Sequence, residues 1–158
     1  MRNLIYLILL AAGTALPIYS VGPESRIEQG AAISPQIDRV FEYFAFLGTE
    51  LKIDEEIQNQ LFAPDFAMII NGKTVVQGRD ALKEHFELLF SQVTRIDLEV
   101  YEKIIAKDKA VMRYDVLKPG KSASKVIAIF KFRDGLVYEM NEVVHSADPK
   151  AEIDYTSR

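Results

Sequence analysis

A chain of 158 residues, 49% hydrophobic and 27% charged, has the size and composition of one globular domain rather than of a disordered segment. Its net charge of −4, without a Lys/Arg cluster, argues against a nucleic-acid partner. The absence of cysteine excludes disulfides, thiol nucleophiles and thiolate metal sites.

The first residues, MRNLIYLILLAAGTALPIYSVG, place one cation, Arg2, ahead of an apolar run over residues 4–12, followed by small residues. Gly13 and Ala15 stand three and one positions before a cut after Ala15, the pattern of an export signal, here residues 1–22. The alternative is an uncleaved anchor, which would make a membrane the partner of this segment. Pro17 and the short apolar run weigh against a span, which needs about 20 predominantly apolar residues. A periplasmic or secreted protein is therefore expected. Residues 23–33 mix Pro, Ser, Gly and charges without a period and read as a linker.

Ser34-Pro35 then starts a helix, with Ser as N-cap and Pro at the first helical position. Ile37, Val40, Phe41, Phe44 and Leu47 form its apolar stripe, and Gly48 is expected to end it. A short helix begins at Asp54, turns Ile57 and Leu61 inward and stops before Pro64. Residues 66–70 read as a strand, Asn71-Gly72 as a hairpin turn, and residues 73–77 as the returning strand. Gly78-Arg79-Asp80 opens a third helix with Leu82, His85, Phe86 and Leu89 on one face.

Four strands follow, over residues 94–105, 110–118, 124–133 and 136–145, with turns at Lys107-Asp108, Pro119-Gly120 and Asp134-Gly135. The fold class is α+β: about three helices, mostly in the N-terminal half, on one face of a curved antiparallel sheet. The domain is expected over 34–147 and a tail over 148–158.

Alternation assigns faces. Ala110, Met112, Tyr114 and Val116 share one, and Val126, Ala128, Phe130 and Phe132 are uniformly apolar and should point inward. The last strand depends on its turn. A two-residue loop pairs Arg133 with Leu136 and turns Val137, Glu139, Asn141 and His145 inward; a three-residue loop pairs Phe132 with Leu136 and turns Leu136, Tyr138, Met140, Glu142 and Val144 inward. The second set is the more apolar and is the one expected. Ile127, Ile129, Val111, Leu117, Val137 and Val143 would then lie on the outer face, an apolar patch suited to a homodimer.

Together LFAPDF, ING, GRDALKEHF and FKFRDGLVYEMNEV, in this order over residues 35–144, resemble the nuclear transport factor 2-like (SnoaL-like) superfamily. The resemblance implies a cystatin-like cone, a curved sheet around a long helix, with a pocket at its open end and often a homodimer. The superfamily includes isomerases, cyclases, dehydratases, epoxide hydrolases and non-catalytic binders, so fold does not assign the reaction. In its epoxide hydrolases and cyclases an acid occupies the last-strand position matched here by Glu142. Its isomerases carry a base near the end of the first strand and a second acid further on; these positions correspond to Ile69-Ile70 and Ala128 here, which disfavours that reaction.

Glu142 is thus the odd residue, a carboxylate on an apolar face. It is either a desolvated general acid or base or a strand-end group that reaches solvent or a cation. His85 is a candidate polar pocket group, or a hydrogen-bonded core residue. Tyr43 flanks the first helix's stripe near the place of an isomerase oxyanion-binding tyrosine, with packing as its plainer role. Asp65 reads as a turn residue bonding backbone N–H groups. Two histidines, His85 and His145, without carboxylates at ligand spacing make a metal site improbable, and neither a phosphate loop nor a Ser-His-Asp arrangement can be placed. No cofactor is expected.

The first functional reading is a binder of a small, largely hydrophobic molecule. Phe44, Phe86, Met112, Phe130 and Met140, with Tyr43 and Tyr138, would shape its pocket, and Tyr114 or Glu142 would orient the ligand. The second is a cofactor-independent lyase, cyclase or hydrolase, with Glu142 as general acid or base, Tyr114 as donor and His85 nearby. The third is a protein-interaction module whose pocket is filled by its own side chains.

Overall fold

The structure, a computed structural model, describes residues 33–146. The expected export signal, the linker before Ile33 and the tail lie outside these residues.

Helix α1 (Ser34–Glu50) starts without a side-chain cap: Ile33 is the N-cap, and Ser34 and Pro35 already belong to the first turn. Proline is tolerated there because first-turn N–H groups have no intrahelical acceptor. The helix buries Ile37, Val40, Tyr43 and Leu47 and runs past Gly48, ending where Leu51 turns left-handed at φ 50°. Gly48 instead permits a close approach. A Cβ there would lie 2.2 Å from the Ile96 carbonyl oxygen, while the Gly48 carbonyl accepts the Ile96 N–H at 2.9 Å.

Helix α2 (Glu55–Leu61) is capped by Asp54, whose carboxylate accepts the Ile57 N–H at 3.0 Å. It buries Gln58 and Leu61 and leaves Ile57 exposed, contrary to the inward position expected of Ile57. Strand β1 (Phe62–Ile70) follows directly. Its pairing is irregular between Phe62 and Ala67, where Pro64 costs no regular ladder bond. Asn71 and Gly72, at φ 49° and 78°, form the hairpin to β2 (Lys73–Gln77), both with the positive φ that a two-residue turn requires. Helix α3 (Arg79–Phe90) buries Leu82, His85 and Phe86. Strands β3 (Asp97–Ile105), β4 (Lys109–Leu117), β5 (Ser124–Arg133) and β6 (Leu136–Ser146) complete the domain.

The strands form one sheet in the order β2-β1-β6-β5-β4-β3. The expected helices on a curved sheet are present, but the sheet is mixed, because β1 runs parallel to β6. Bulges in β2, β3 and β6 bend it into an unclosed cone over α1 and α3. Its inner face, with Met112, Val126, Ala128, Phe130 and Phe132, meets α1 in the core.

The three-residue turn expected here, pairing Phe132 with Leu136, does not form, yet beyond the turn the strand still presents the inward face expected of it. Asp134 and Gly135, at φ 54° and 79°, make a two-residue turn that pairs Arg133 with Leu136 and Phe132 with Val137. Val137 therefore points inward and is fully buried, which removes it from the outer patch. Tyr138 is then an extra, bulged residue: Lys131 pairs with Glu139, Phe130 with Met140 and Ala128 with Glu142. The extra residue exchanges the faces, so Met140 and Glu142 are buried while Leu136 and Tyr138 are only half-buried. Arg133 lies over the Tyr138 ring at 5.0 Å and pairs with both oxygens of Asp65, at 2.6 and 2.7 Å. Asp65 is thus an ion-pair partner rather than a turn residue, and its hydrogen bond from Arg133 lowers its pKa.

Candidate functional site

The open end of the cone encloses a cavity of about 520 Å³ between α1, α3, the β1–β2 hairpin and strands β3–β6. Its walls are mainly apolar, with Phe44, Leu47, Met68, Phe86, Leu98 and Met140 among them. Each sheet strand contributes one end only. On β4, Tyr114 and Val116 reach the cavity; on β6, Met140, Glu142, Val144 and Ser146 do.

Glu142 is buried on this inner face, 9% exposed. It is held in one row between Ile70 of β1 and Ala128 of β5, its partners in the two neighbouring strands. The small Ala128 leaves room for the Tyr114 phenol, one strand further on, to reach across and donate a hydrogen bond to Glu142 Oε1. Phe41 packs edge-on against the Tyr114 ring, centroids 5.2 Å apart, which fixes its orientation. Burial raises the Glu142 pKa, opposed in part by the hydrogen bond from Tyr114. Burial, then the Glu142 charge and the hydrogen bond to it, raise the Tyr114 pKa well above its ordinary value, so the shared proton belongs to tyrosine.

Asn71 anchors this arrangement. Its backbone N–H donates to the Glu142 carbonyl at 2.9 Å; its side-chain Oδ1 accepts the Val144 N–H at 2.9 Å, and its Nδ2 donates to the Val144 carbonyl at 3.3 Å. The side-chain amide thereby extends the β1–β6 ladder past the turn. His85 also lines the cavity, and burial lowers its pKa to about 4, so its imidazole is neutral at neutral pH. Among the described residues, no group of three or more His, Asp or Glu side chains could hold a metal ion.

The sequence profile of the SnoaL-like domain matches residues 38–140. The chain belongs to the SnoaL-like domain family. Among solved structures, this SnoaL-like domain is similar to a proposed ketosteroid isomerase from Kribbella flavida, with TM-score 0.60 and 13% identity over 82% of this chain and 90% of that one. It is also similar to a proposed SnoaL-like polyketide cyclase from Jannaschia sp. (TM-score 0.58, 16% identity, 71% of this chain and 87% of that one). A third similar structure is IdmH, a proposed polyketide cyclase from Streptomyces antibioticus (TM-score 0.55, 13% identity, 69% of this chain and 91% of that one). At these identities the likeness concerns the fold alone. No curated protein matches the chain significantly.

Of the residues expected at the site, the SnoaL-like cone brings Glu142, Tyr114, His85, Phe44, Phe86 and Met140 onto one cavity. Four others lie elsewhere. Met112 and Phe130 sit deeper in the cone, where Phe130 packs against Phe41 and Phe44 and no space remains. Tyr43 faces α2, and its hydroxyl donates to the Asp54 carbonyl at 3.2 Å and lies 3.4 Å from Gln58 Oε1; burial pushes its pKa up to about 12. Tyr138 is displaced to the outer face by the bulge it occupies. Sequence reasoning missed Asn71, Lys118 and Ser124. Asn71 is recognisable as a turn former, but its bonds to β6 depend on a parallel pairing 73 residues away.

Proposed function

We propose that this SnoaL-like domain binds a small, largely hydrophobic molecule, in a protein carried out of the cytoplasm by its N-terminal segment. The cavity carries the reading. At about 520 Å³ with apolar walls, it falls within the roughly 300–1,000 Å³ of small-molecule sites, and its one buried carboxylate–phenol pair supplies a polar feature for orientation. Open space of this size weighs against an interaction module with a filled pocket. Native mass spectrometry of protein purified from its own host tests it: a retained apolar molecule that leaves on denaturation is the expected result. Protein without a bound molecule, and with no affinity for a panel of apolar probes, would count against it.

A second reading is favoured by one observation. Ile70, one of the two residues at the isomerase base position by resemblance, and Ala128, at its second acid position, flank Glu142 directly, so the acid of this row has its place on β6. A carboxylate there, with its pKa raised by burial, suits proton transfer without a cofactor. In a cyclisation, Glu142 would take a proton from a ligand carbon. That carbon's electron pair would form the new bond to a carbonyl carbon, and Glu142 would return the proton to the resulting alkoxide. Glu142→Gln separates the readings: turnover lost with binding retained identifies an enzyme, and a change in affinity alone identifies a binder. Pairing of two copies through the outer sheet face completes the proposal.

A further inference from the structure

We infer that the molecule taken by the cavity is an apolar acid, its anionic head held at the rim by the Lys118 ammonium and its body extending toward Glu142. The inference rests on the small-molecule reading above and specifies the chemical class.

Lys118 follows directly on β4, lines the cavity and is half-buried. Among the described residues, the other partly buried lysines are ion-paired, Lys83 with Glu55 at 2.5 Å and Lys131 with Glu139 at 2.7 Å. Lys118 has no such partner among them. The nearest acid by register, Asp97 opposite Leu117, is already held by Arg95 through both its oxygens. A cation withdrawn from water without an anion is costly, and here burial, with Lys121 nearby, lowers its pKa. A ligand anion would remove that cost.

The surroundings fit an acid. Ser124, buried and opposite Val116 in the neighbouring strand, adds a hydroxyl to the same rim, and Lys73 is a second cation of the lining. The one carboxylate lining the cavity, Glu142, is engaged by Tyr114. It lies four residues along β6 from Ser146, the partner of Ser124, which places it roughly 13 Å from the rim at about 3.3 Å per residue. Val116, Val126 and Val144 line the wall between, so an apolar stretch separates the Lys118 ammonium at the rim from the Glu142–Tyr114 pair.

Calorimetric titration of the purified protein tests this with matched probes: dodecanoate, dodecanol and dodecylamine, and naphthalene-2-carboxylate beside 2-naphthalenemethanol. In wild type at least one acid should bind about tenfold or more tighter than its alcohol, with the amine weakest, as expected for a charge-assisted hydrogen bond. Lys118→Met should abolish that preference and leave the alcohol's affinity within about twofold, and added salt should weaken the acid selectively. Equal affinity for acid and alcohol, or a preference that survives Lys118→Met, overturns the inference and leaves the small-molecule reading standing. Failure of every probe to bind overturns both.

Discussion

Glu142 sits where its charge is least welcome, and Tyr114 is what makes the charge tolerable. Burial puts the carboxyl's folded pKa above its unfolded value, so the native state binds more protons between the two. Stability attributable to this group falls as pH rises through that window, and the penalty persists above it. Glu142→Gln keeps the shape without the titration. It should be at least as stable as wild type at neutral pH, and the difference should vanish below the ordinary carboxylate range. His85 acts in the opposite sense: with its pKa lowered to about 4, it costs stability as pH falls from about 6.5, so the mutant-minus-wild-type difference in melting temperature is the quantity to follow. Tyr114→Phe removes the bond that favours the charged form. It should push the Glu142 pKa higher still and cost about 1–3 kcal/mol above the window, less below it. Carboxyl NMR titration of the variant checks the direction; an unmoved pKa would mean that the phenol does not bond Glu142 in solution.

At the scale of elements, irregularities do the positioning. The bulge at Tyr138 permits a tight Asp-Gly turn while still directing Met140 and Glu142 into the cone. The Asn71 side chain ties the β1–β2 hairpin to β6 beside that carboxylate. Gly48 shows how packing overrides propensity. In an isolated helix Gly→Ala gains about 1 kcal/mol. Here the added Cβ would meet the Ile96 carbonyl oxygen at 2.2 Å, a backbone atom that cannot swing aside. Moving β3 away from α1 also strains the Ile96–Gly48 hydrogen bond, and overpacking of this kind costs about 1–3 kcal/mol. Gly48→Ala should therefore lower stability in denaturant unfolding; a variant more stable than wild type would show that β3 moves freely.

At the scale of the molecule, the outer sheet face carries an apolar strip. Ile104, Ile127, Ile129 and Val143 are 54%, 50%, 38% and 62% exposed, and Ile127 lies directly opposite Val143. An apolar strip on a sheet face is suited to a two-fold interface. Ile129→Lys should convert a wild-type dimer to a monomer in sedimentation without loss of folded signal. A wild type that already sediments as a monomer at high concentration would refute the pairing.

Sequence alone determined the order of elements, the inner and outer faces of β4 and β5, the hairpin at Asn71-Gly72 and the position, though not the length, of the turn at Asp134-Gly135. These follow from rules acting over a few neighbouring residues: period, turn chemistry and the positive φ that Gly and Asn accept. It also singled out Glu142, because a carboxylate interrupts an apolar alternation. Tertiary structure decided the rest. The face of β6 switches within the strand, since the bulge satisfies both the local turn and the distant core, and no local rule chooses between them. The parallel β1–β6 pairing gives Asn71 its partners, and the approach of β3 explains Gly48. Which aromatic residues line space and which fill it depends on how deep in the cone each sits. That depth is set by contacts between residues far apart in the chain, which alternation along one strand does not encode.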